Sequence, residues 1–295
     1  MSTTAMPTAN LQARMGEWDQ AAWSLAALAL VLDPEAASPL RGAAERLLEA
    51  LGIHSAGNAV PGFSSPAQAA AQARSPLIQG AMLFTTESTS WGDRPASVLL
   101  AQGQASAQGA RAFAQLALPS LDGLAERLAA PGAQMLDVGV GVAAMAVAFC
   151  EVFPALTVTG IDTAAPALRL AEQTVAASAA AGRVVLRRQD LGDLTDEHAY
   201  DLAWLPAPFI PSAALSRGAE RVARALKPGG WLLLAHGRFT GDPVEDALSR
   251  FKTAAYGGTA LNDEDARALV TGAGFRSVRS LPTPAGAPAI TVGRI

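Results

Sequence analysis

Met135 to Asp162, MLDVGVGVAAMAVAFCEVFPALTVTGID, is the stretch whose reading decides the fold. A short apolar run broken by one acid, Met135-Leu136-Asp137-Val138, meets Gly139-Val140-Gly141, and small helix-compatible residues follow from Val142 to Cys150. Glycines let a backbone turn tightly from strand into helix because they carry no Cβ. The next run, Leu156 to Ile161, is rich in β-branched and apolar residues and closes on Asp162, 25 positions after Asp137. That is the spacing of a strand-helix-strand unit whose second strand ends in an acid placed for ribose hydroxyls. The stretch predicts a nucleotide-shaped crevice.

Beyond Pro131-Gly132 the pattern alternates between strands and helices. Strands are expected near 134–139, 157–162, 183–188, 200–205, 230–236, 275–280 and 288–293, with helices near 142–153, 165–181, 213–226, 243–254 and 262–273. Alternation of this kind gives a mostly parallel sheet covered on both faces. Leu281 to Ala287, broken by Pro282, Pro284 and Gly286, is too short for a crossover helix, so the last two strands form a hairpin and an antiparallel strand ends the sheet. The expected fold class is α/β, a Rossmann-like seven-stranded sheet with an antiparallel last strand, preceded by an all-helical segment.

In that first segment residues 1 to about 14 are polar, small and expected to fray. Apolar residues recur at helical spacing over 18–32 and 40–51, with Pro34 and Pro39 between and Gly52 after. His54 to Pro66 reads as a loop, and Thr85 to Pro95 as turn-rich. Helices are expected over 67–74, 108–116 and 121–128. The expected division is a helical domain over 1–130 and a sheet domain over 131–295.

Composition narrows the partners. With 295 residues and 50% hydrophobic content the chain can fill a sizeable core, which excludes disordered and fibrous classes. A net charge of −4 and a pI near 5.4 argue against nucleic acid and favour small neutral or cationic ligands. The single cysteine, Cys150, sits in an apolar helical run and reads as a core residue in a reducing compartment. The longest apolar run, Ala21 to Leu32, is too short to span a bilayer and follows Glu17 and Asp19 rather than basic residues. A soluble cytoplasmic protein is expected. No Cys/His/Asp cluster has metal-ligand spacing.

Four separate motifs make residues 131–295 resemble a class I S-adenosylmethionine (SAM)-dependent methyltransferase. The acid followed by GxGxG is matched by Asp137-Val138-Gly139-Val140-Gly141, with Ala143 in place of the third glycine. Asp162, with Thr163 beside it, corresponds to the ribose-binding acid, and Gln189-Asp190-Leu191, after Arg188, to the adenine-binding end of the third strand. Leu226-Lys227-Pro228-Gly229-Gly230 matches the turn that enters the fifth strand, and the closing hairpin also agrees. The resemblance implies SAM as cofactor, held also by Leu205 and Pro206 at the end of the fourth strand. It implies transfer of an electrophilic methyl group to a small, aromatic or heterocyclic metabolite, in secondary metabolism of the natural-product type.

The acceptor side is less explicit. Plant-type small-molecule O-methyltransferases place a His-Asp pair just after the fourth strand, whereas this chain has Trp204-Leu205-Pro206-Ala207-Pro208-Phe209-Ile210-Pro211. Amino-methylating relatives place Asn or Asp there, and Leu205 stands in its place. The expected mechanism therefore leans on positioning of a nucleophile that is already reactive, such as an amine or an indole carbon, with O, N and C acceptors all open. His236, ending the fifth strand, and Tyr256 are the candidates for polar work; Phe209, Phe251 and Trp91, with Glu87 nearby, are candidate walls of the acceptor pocket. His54 and His198 are read as loop residues without chemistry. The helical segment, with Met82 and Phe84, is expected to cover the cofactor edge or to form a homodimer face. Two other readings stay open: an NAD-dependent oxidoreductase, since Gly139, Gly141, Ala144 and Asp162 also fit GxGxxA, and a non-catalytic SAM-binding protein.

Overall fold

The computed structural model describes residues 8–33, 38–53, 65–84, 91–283 and 287–295. Pro34, His54, Glu87, Pro284 and Gly286, which figure in the expectations above, lie outside them. The chain divides into two compact units, Met1–Thr85 and Thr86–Ile295.

The first unit holds α1 (Thr8–Leu32), α2 (Arg41–Ala50) and α3 (Pro66–Met82). Ala27 packs with Ala44 and Leu48, and Leu32 with Ala69 and Ala70. Arg41 closes the end of α1 by donating to the carbonyls of Val31 and Asp33. Helix α1 begins at Thr8, where fraying to residue 14 was expected, and α3 runs on through Pro76 to Met82 rather than stopping at Arg74. None of the described helices is long and apolar enough to cross a membrane.

The second unit opens with a 3₁₀ turn, Trp91–Asp93, followed by α4 (Ala96–Ser106), α5 (Gln108–Ala112), a π-helical turn (Phe113–Ala117) and α6 (Leu124–Ala129). Then come β1 (Gln134–Val138), α7 (Ala144–Val152), β2 (Thr157–Asp162), α8 (Ala165–Ala176), β3 (Val184–Arg188), β4 (Tyr200–Pro206), α9 (Ser212–Ala225), β5 (Leu226–His236), α10 (Pro243–Tyr256), α11 (Asp263–Gly272), β6 (Arg276–Leu281) and β7 (Ala289–Arg294). The sheet order is β3-β2-β1-β4-β5-β7-β6. β7 pairs antiparallel with both β5 and β6; it inserts between them, so the final strand is antiparallel without lying at the edge.

The two faces of the sheet bury alternate residues, as a pleat of period two requires. Met135, Leu202 and Leu233 join Phe149, Leu124 and Leu128 on one face; Leu136, Ala203, Leu232 and Leu234 join Leu215, Val222 and Val270 on the other. Helix α4 was not anticipated, because Gly103 lies in its interior and glycine disfavours a helix by about 1 kcal/mol. Packing explains the glycine: a Cβ there would come within 2.2 Å of Val142 Cγ2. Beneath the sheet's other end Asp201, 5% exposed, takes Lys227 Nζ at 2.6 Å, Arg127 Nη1 at 3.3 Å and the Gln134 N–H at 3.0 Å. Arg127 also donates to Pro228 O at 2.7 Å, tying α6 to the turn that enters β5.

Candidate active site

The site grows from the carboxyl ends of the parallel strands, where open α/β sheets bind ligands. After β1 the chain passes through left-handed φ values at Gly139 (66°), Gly141 (55°) and Ala143 (60°) before α7 begins. Alanine in place of the third glycine therefore keeps the turn, at the cost of a conformation that L-residues disfavour. The Val140 N–H donates to Ile161 O at 3.0 Å, which anchors the turn to β2. Gly160 makes room for it, since a Cβ there would lie 2.6 Å from Val140 Cγ2.

Asp162 ties two turns together. Its Oδ2 accepts the Gly141 N–H at 2.9 Å and its Oδ1 the Ala164 N–H at 2.8 Å. A carboxylate has about four lone-pair sites, so each oxygen can accept one further hydroxyl. Asp137 is 1% exposed, and its Oδ1 has no hydrogen-bond partner among the described residues. Burial, with the Asp162 charge adding to it, pushes its carboxyl up to about 8. An orphaned buried carboxyl oxygen and a half-buried carboxylate with acceptor capacity left fit a ligand that brings donor groups such as ribose hydroxyls.

Beyond β3, the Gln189 N–H donates to Asp162 O at 3.0 Å, which joins the two strand ends. Asp190 is exposed and its Oδ1 caps a short turn by accepting the Gly192 N–H at 2.7 Å. The Gln189 side chain donates to Asp193 O at 3.0 Å. Leu191 is buried against α9, where a Cβ on Gly218 would meet it at 2.2 Å. Thr163 is exposed, and its carbonyl accepts from Arg188 Nε at 3.4 Å. At the end of β4 Leu205 is fully buried, so its side chain belongs to the core, while Pro206 Cγ lies 3.7 Å from where a Gly139 Cβ would be.

Three aromatic candidates come together. Phe209 and Tyr256 stack with ring centroids 4.9 Å apart and planes 14° apart, and Trp91 meets both edge-on at 4.9 and 5.2 Å. Trp91 also packs against the buried cluster of Leu99, Val142 and Ala167, on which Ala144 and Ala164 pack too, so it links the elements that follow Gly141 and Asp162 to the β4 edge. The segment after Tyr256 folds onto that edge: the Thr259 N–H donates to Ala207 O, Thr259 Oγ1 donates to Ile210 O, and Gly258 lies so close that a Cβ would meet Pro208 O at 2.0 Å. Burial raises the Tyr256 hydroxyl above its ordinary range.

His236 ends β5 and Phe251 lies on α10. His236 is fully buried; Nδ1 donates to Gly237 O at 3.0 Å, which leaves Nε2 to accept from Thr291 Oγ1 at 3.0 Å. Burial lowers its pKa despite Asp263 4.0 Å away, so it stays neutral with both nitrogens used. Phe251 stands 60% exposed on α10. The residue that the sequence reading passed over is Arg94, which is buried beside the aromatic cluster. Nothing in the tripeptide Asp93-Arg94-Pro95 signals that an arginine there is covered.

Residues 135–230 match a family profile described as "Methyltransferase domain". No curated protein matches the chain by sequence. Among solved structures it resembles PigF with S-adenosylhomocysteine (SAH), at 19% identity and TM-score 0.67 over 98% of this chain and 100% of that one. It also resembles human N-acetylserotonin methyltransferase in complex with SAM, at 16% identity and TM-score 0.63 over 100% and 99% of the two chains. A third is the mitomycin 7-O-methyltransferase MmcR, at 18% identity and TM-score 0.58 over 97% and 98%. At such identities the likeness is one of fold. Together with the matched domain it sets aside the dinucleotide reading of the glycine turn. Residues 135–230 form a methyltransferase domain, with S-adenosylmethionine as its cofactor.

Proposed function

We propose that the protein methylates a small aromatic or heterocyclic metabolite, and that it does so by alignment rather than by deprotonating the acceptor. The observation that carries this is the Trp91–Phe209–Tyr256 cluster at the end of β4, in a stretch, Trp204 to Pro211, that has no histidine or acid. A flat acceptor suits such a surface, because aromatic pairs favour offset-stacked and edge-on contacts. The names of the human and mitomycin enzymes, which state small-molecule acceptors, support the same class.

Bound in the crevice, SAM supplies an electrophilic methyl carbon on a sulfonium. Asp162 would take the ribose hydroxyls, Asp190 and the backbone of Leu191 the adenine, and Gly139, Gly141, Thr163, Gln189, Leu205 and Pro206 would line the remainder. Asp137, whose Oδ1 has no partner among the described residues, would line the same crevice. Holding an acceptor in line can supply about 7–11 kcal/mol of the barrier. Tyr256 keeps its proton at neutral pH, so it serves as a stacking partner or hydrogen-bond donor rather than as a base. His236, shut in by Gly237 and Thr291, acts only through the shape of the β5 end. An amine or an electron-rich carbon is the favoured nucleophile, since it needs no base for attack. Natural-product metabolism and a cytoplasmic location complete the proposal.

Self-association is also proposed: α1 exposes Leu11, Met15, Trp18 and Trp23, and light scattering should report a dimer. The activity test is SAH release with SAM and a panel of phenols, arylamines and indoles. Turnover with an arylamine or indole supports the reading. SAH binding without turnover on any member would leave a cofactor-binding protein in its place.

A further inference from the structure

Arg94 is 7% exposed, in a chain whose other arginines lie mostly at the surface. Its Nη2 donates to Ala255 O at 2.8 Å, while its Nη1 is buried and has no partner among the described residues. A guanidinium offers five N–H donors in a rigid fork and is charged at every physiological pH. Burying one end of it without a counter-charge is strongly unfavourable. A native structure tolerates such a group where a ligand supplies what the chain withholds.

Its surroundings say which ligand. Arg94 closes the turn that carries Trp91 by donating its N–H to Trp91 O at 3.2 Å, and its guanidinium reaches the residue before Tyr256, so it stands at the aromatic cluster. It also lines a recess of about 250 Å³ with Leu99, Pro166, Leu170, Gln173 and a second arginine, Arg169. Two guanidiniums and an amide suit an anion. A second orphaned buried atom among the described residues, Asp137 Oδ1, belongs to a carboxyl group, so the two positions take different groups of whatever binds.

We infer that Arg94 is a carboxylate anchor: Nη1 donates to a carboxylate on a molecule lying against Trp91, Phe209 and Tyr256. The inference rests on the methyltransferase reading and adds a charge requirement to it. The carboxylate belongs either to the amino-acid end of the cofactor or to the acceptor, which would then be an aromatic acid. The planar fork makes this a matter of geometry as well as charge, so lysine should replace it poorly.

The test compares wild type, Arg94→Met and Arg94→Lys by titration calorimetry against paired probes. One pair is SAH and 5′-methylthioadenosine, which lacks the amino-acid end; the others, with SAH present, are salicylate against phenol and anthranilate against aniline. Wild type should prefer the carboxylate-bearing member of at least one pair. Arg94→Met should lower that preference by about tenfold or more, with Arg94→Lys in between. A loss confined to the first pair assigns the carboxylate to the cofactor, and one confined to the acid pairs assigns it to the acceptor. Removing an unpaired buried charge should leave the ligand-free melting temperature equal or higher. Preferences unchanged in both variants, or a lowered melting temperature with preferences intact, would make Arg94 structural and overturn the proposal. Failure of wild type to bind SAH would instead overturn the methyltransferase reading.

Discussion

The side chain of Asp162 accepts the backbone N–H of Gly141 at 2.9 Å, across 21 positions of chain. The acid proposed to take the ribose is thus also the brace of the glycine turn, and with the Ala164 N–H on its other oxygen it ties together the turns after β1 and β2. Asp162→Ala should abolish the rise in melting temperature caused by SAH, and should cost about 1–2 kcal/mol in urea denaturation without ligand. Asp162→Asn, which keeps one acceptor oxygen, should lie between. A full ligand-induced shift in the alanine variant would remove Asp162 from the cofactor site.

Asp137 makes stability depend on pH. Its folded-state carboxyl titrates at about 8, against an ordinary 3.8, so between these values the native state holds a proton that the unfolded chain gives up. Its contribution is present below pH 4 and is lost as pH rises towards 8, with a limiting slope of about 1.4 kcal/mol per pH unit. Wild type should therefore lose stability between pH 5 and 8 relative to Asp137→Asn. The difference between the two isolates this group from His236, whose lowered pKa acts with the opposite sign. Parallel urea midpoints across that range would refute the assignment.

Tyr256→Phe should keep turnover within about threefold if the ring works by stacking, whereas Tyr256→Ala should lose tenfold or more. Steady-state SAH release with a turning-over acceptor separates the two. Equal losses in both variants would mean that the hydroxyl is needed.

Gly258→Ala places a methyl against Pro208 O, a main-chain atom that cannot swing aside. Overpacking of this kind costs about 1–3 kcal/mol, and here it should loosen the β4 edge. Acceptor KM should rise more than SAH affinity falls; a silent substitution would show that the segment is not seated on Pro208.

Much of the sheet was legible because its signals are local. Alternating apolar strands, glycines with positive φ and strand-end acids each announce themselves within a few residues, and Asp137, Gly139, Gly141 and Asp162 take their places in one crevice. Asp190 was legible as a strand-end acid, yet its cap on Gly192 is a further use that spacing does not disclose. Helix α4 escaped because its interior Gly103 is explained only by Val142, 39 positions away. His236 shows the converse: its place at the end of β5 was plain, but Thr291, which occupies its ring, comes from a strand 55 positions later. Arg94 could not be found from its neighbours in sequence, since the carbonyl that takes its guanidinium, Ala255 O, lies 161 positions away.

Arg127 reaches from α6 to Asp201 and to Pro228, Trp231 Nε1 donates to Asp122 O, and Leu121, Leu124 and Leu128 are buried in the core that covers one face of the sheet. Anyone trimming this protein to a minimal catalytic fragment should therefore cut near residue 86. A fragment starting at 131 would begin with a stripped apolar face and is expected to aggregate on expression, however complete its motifs look on paper.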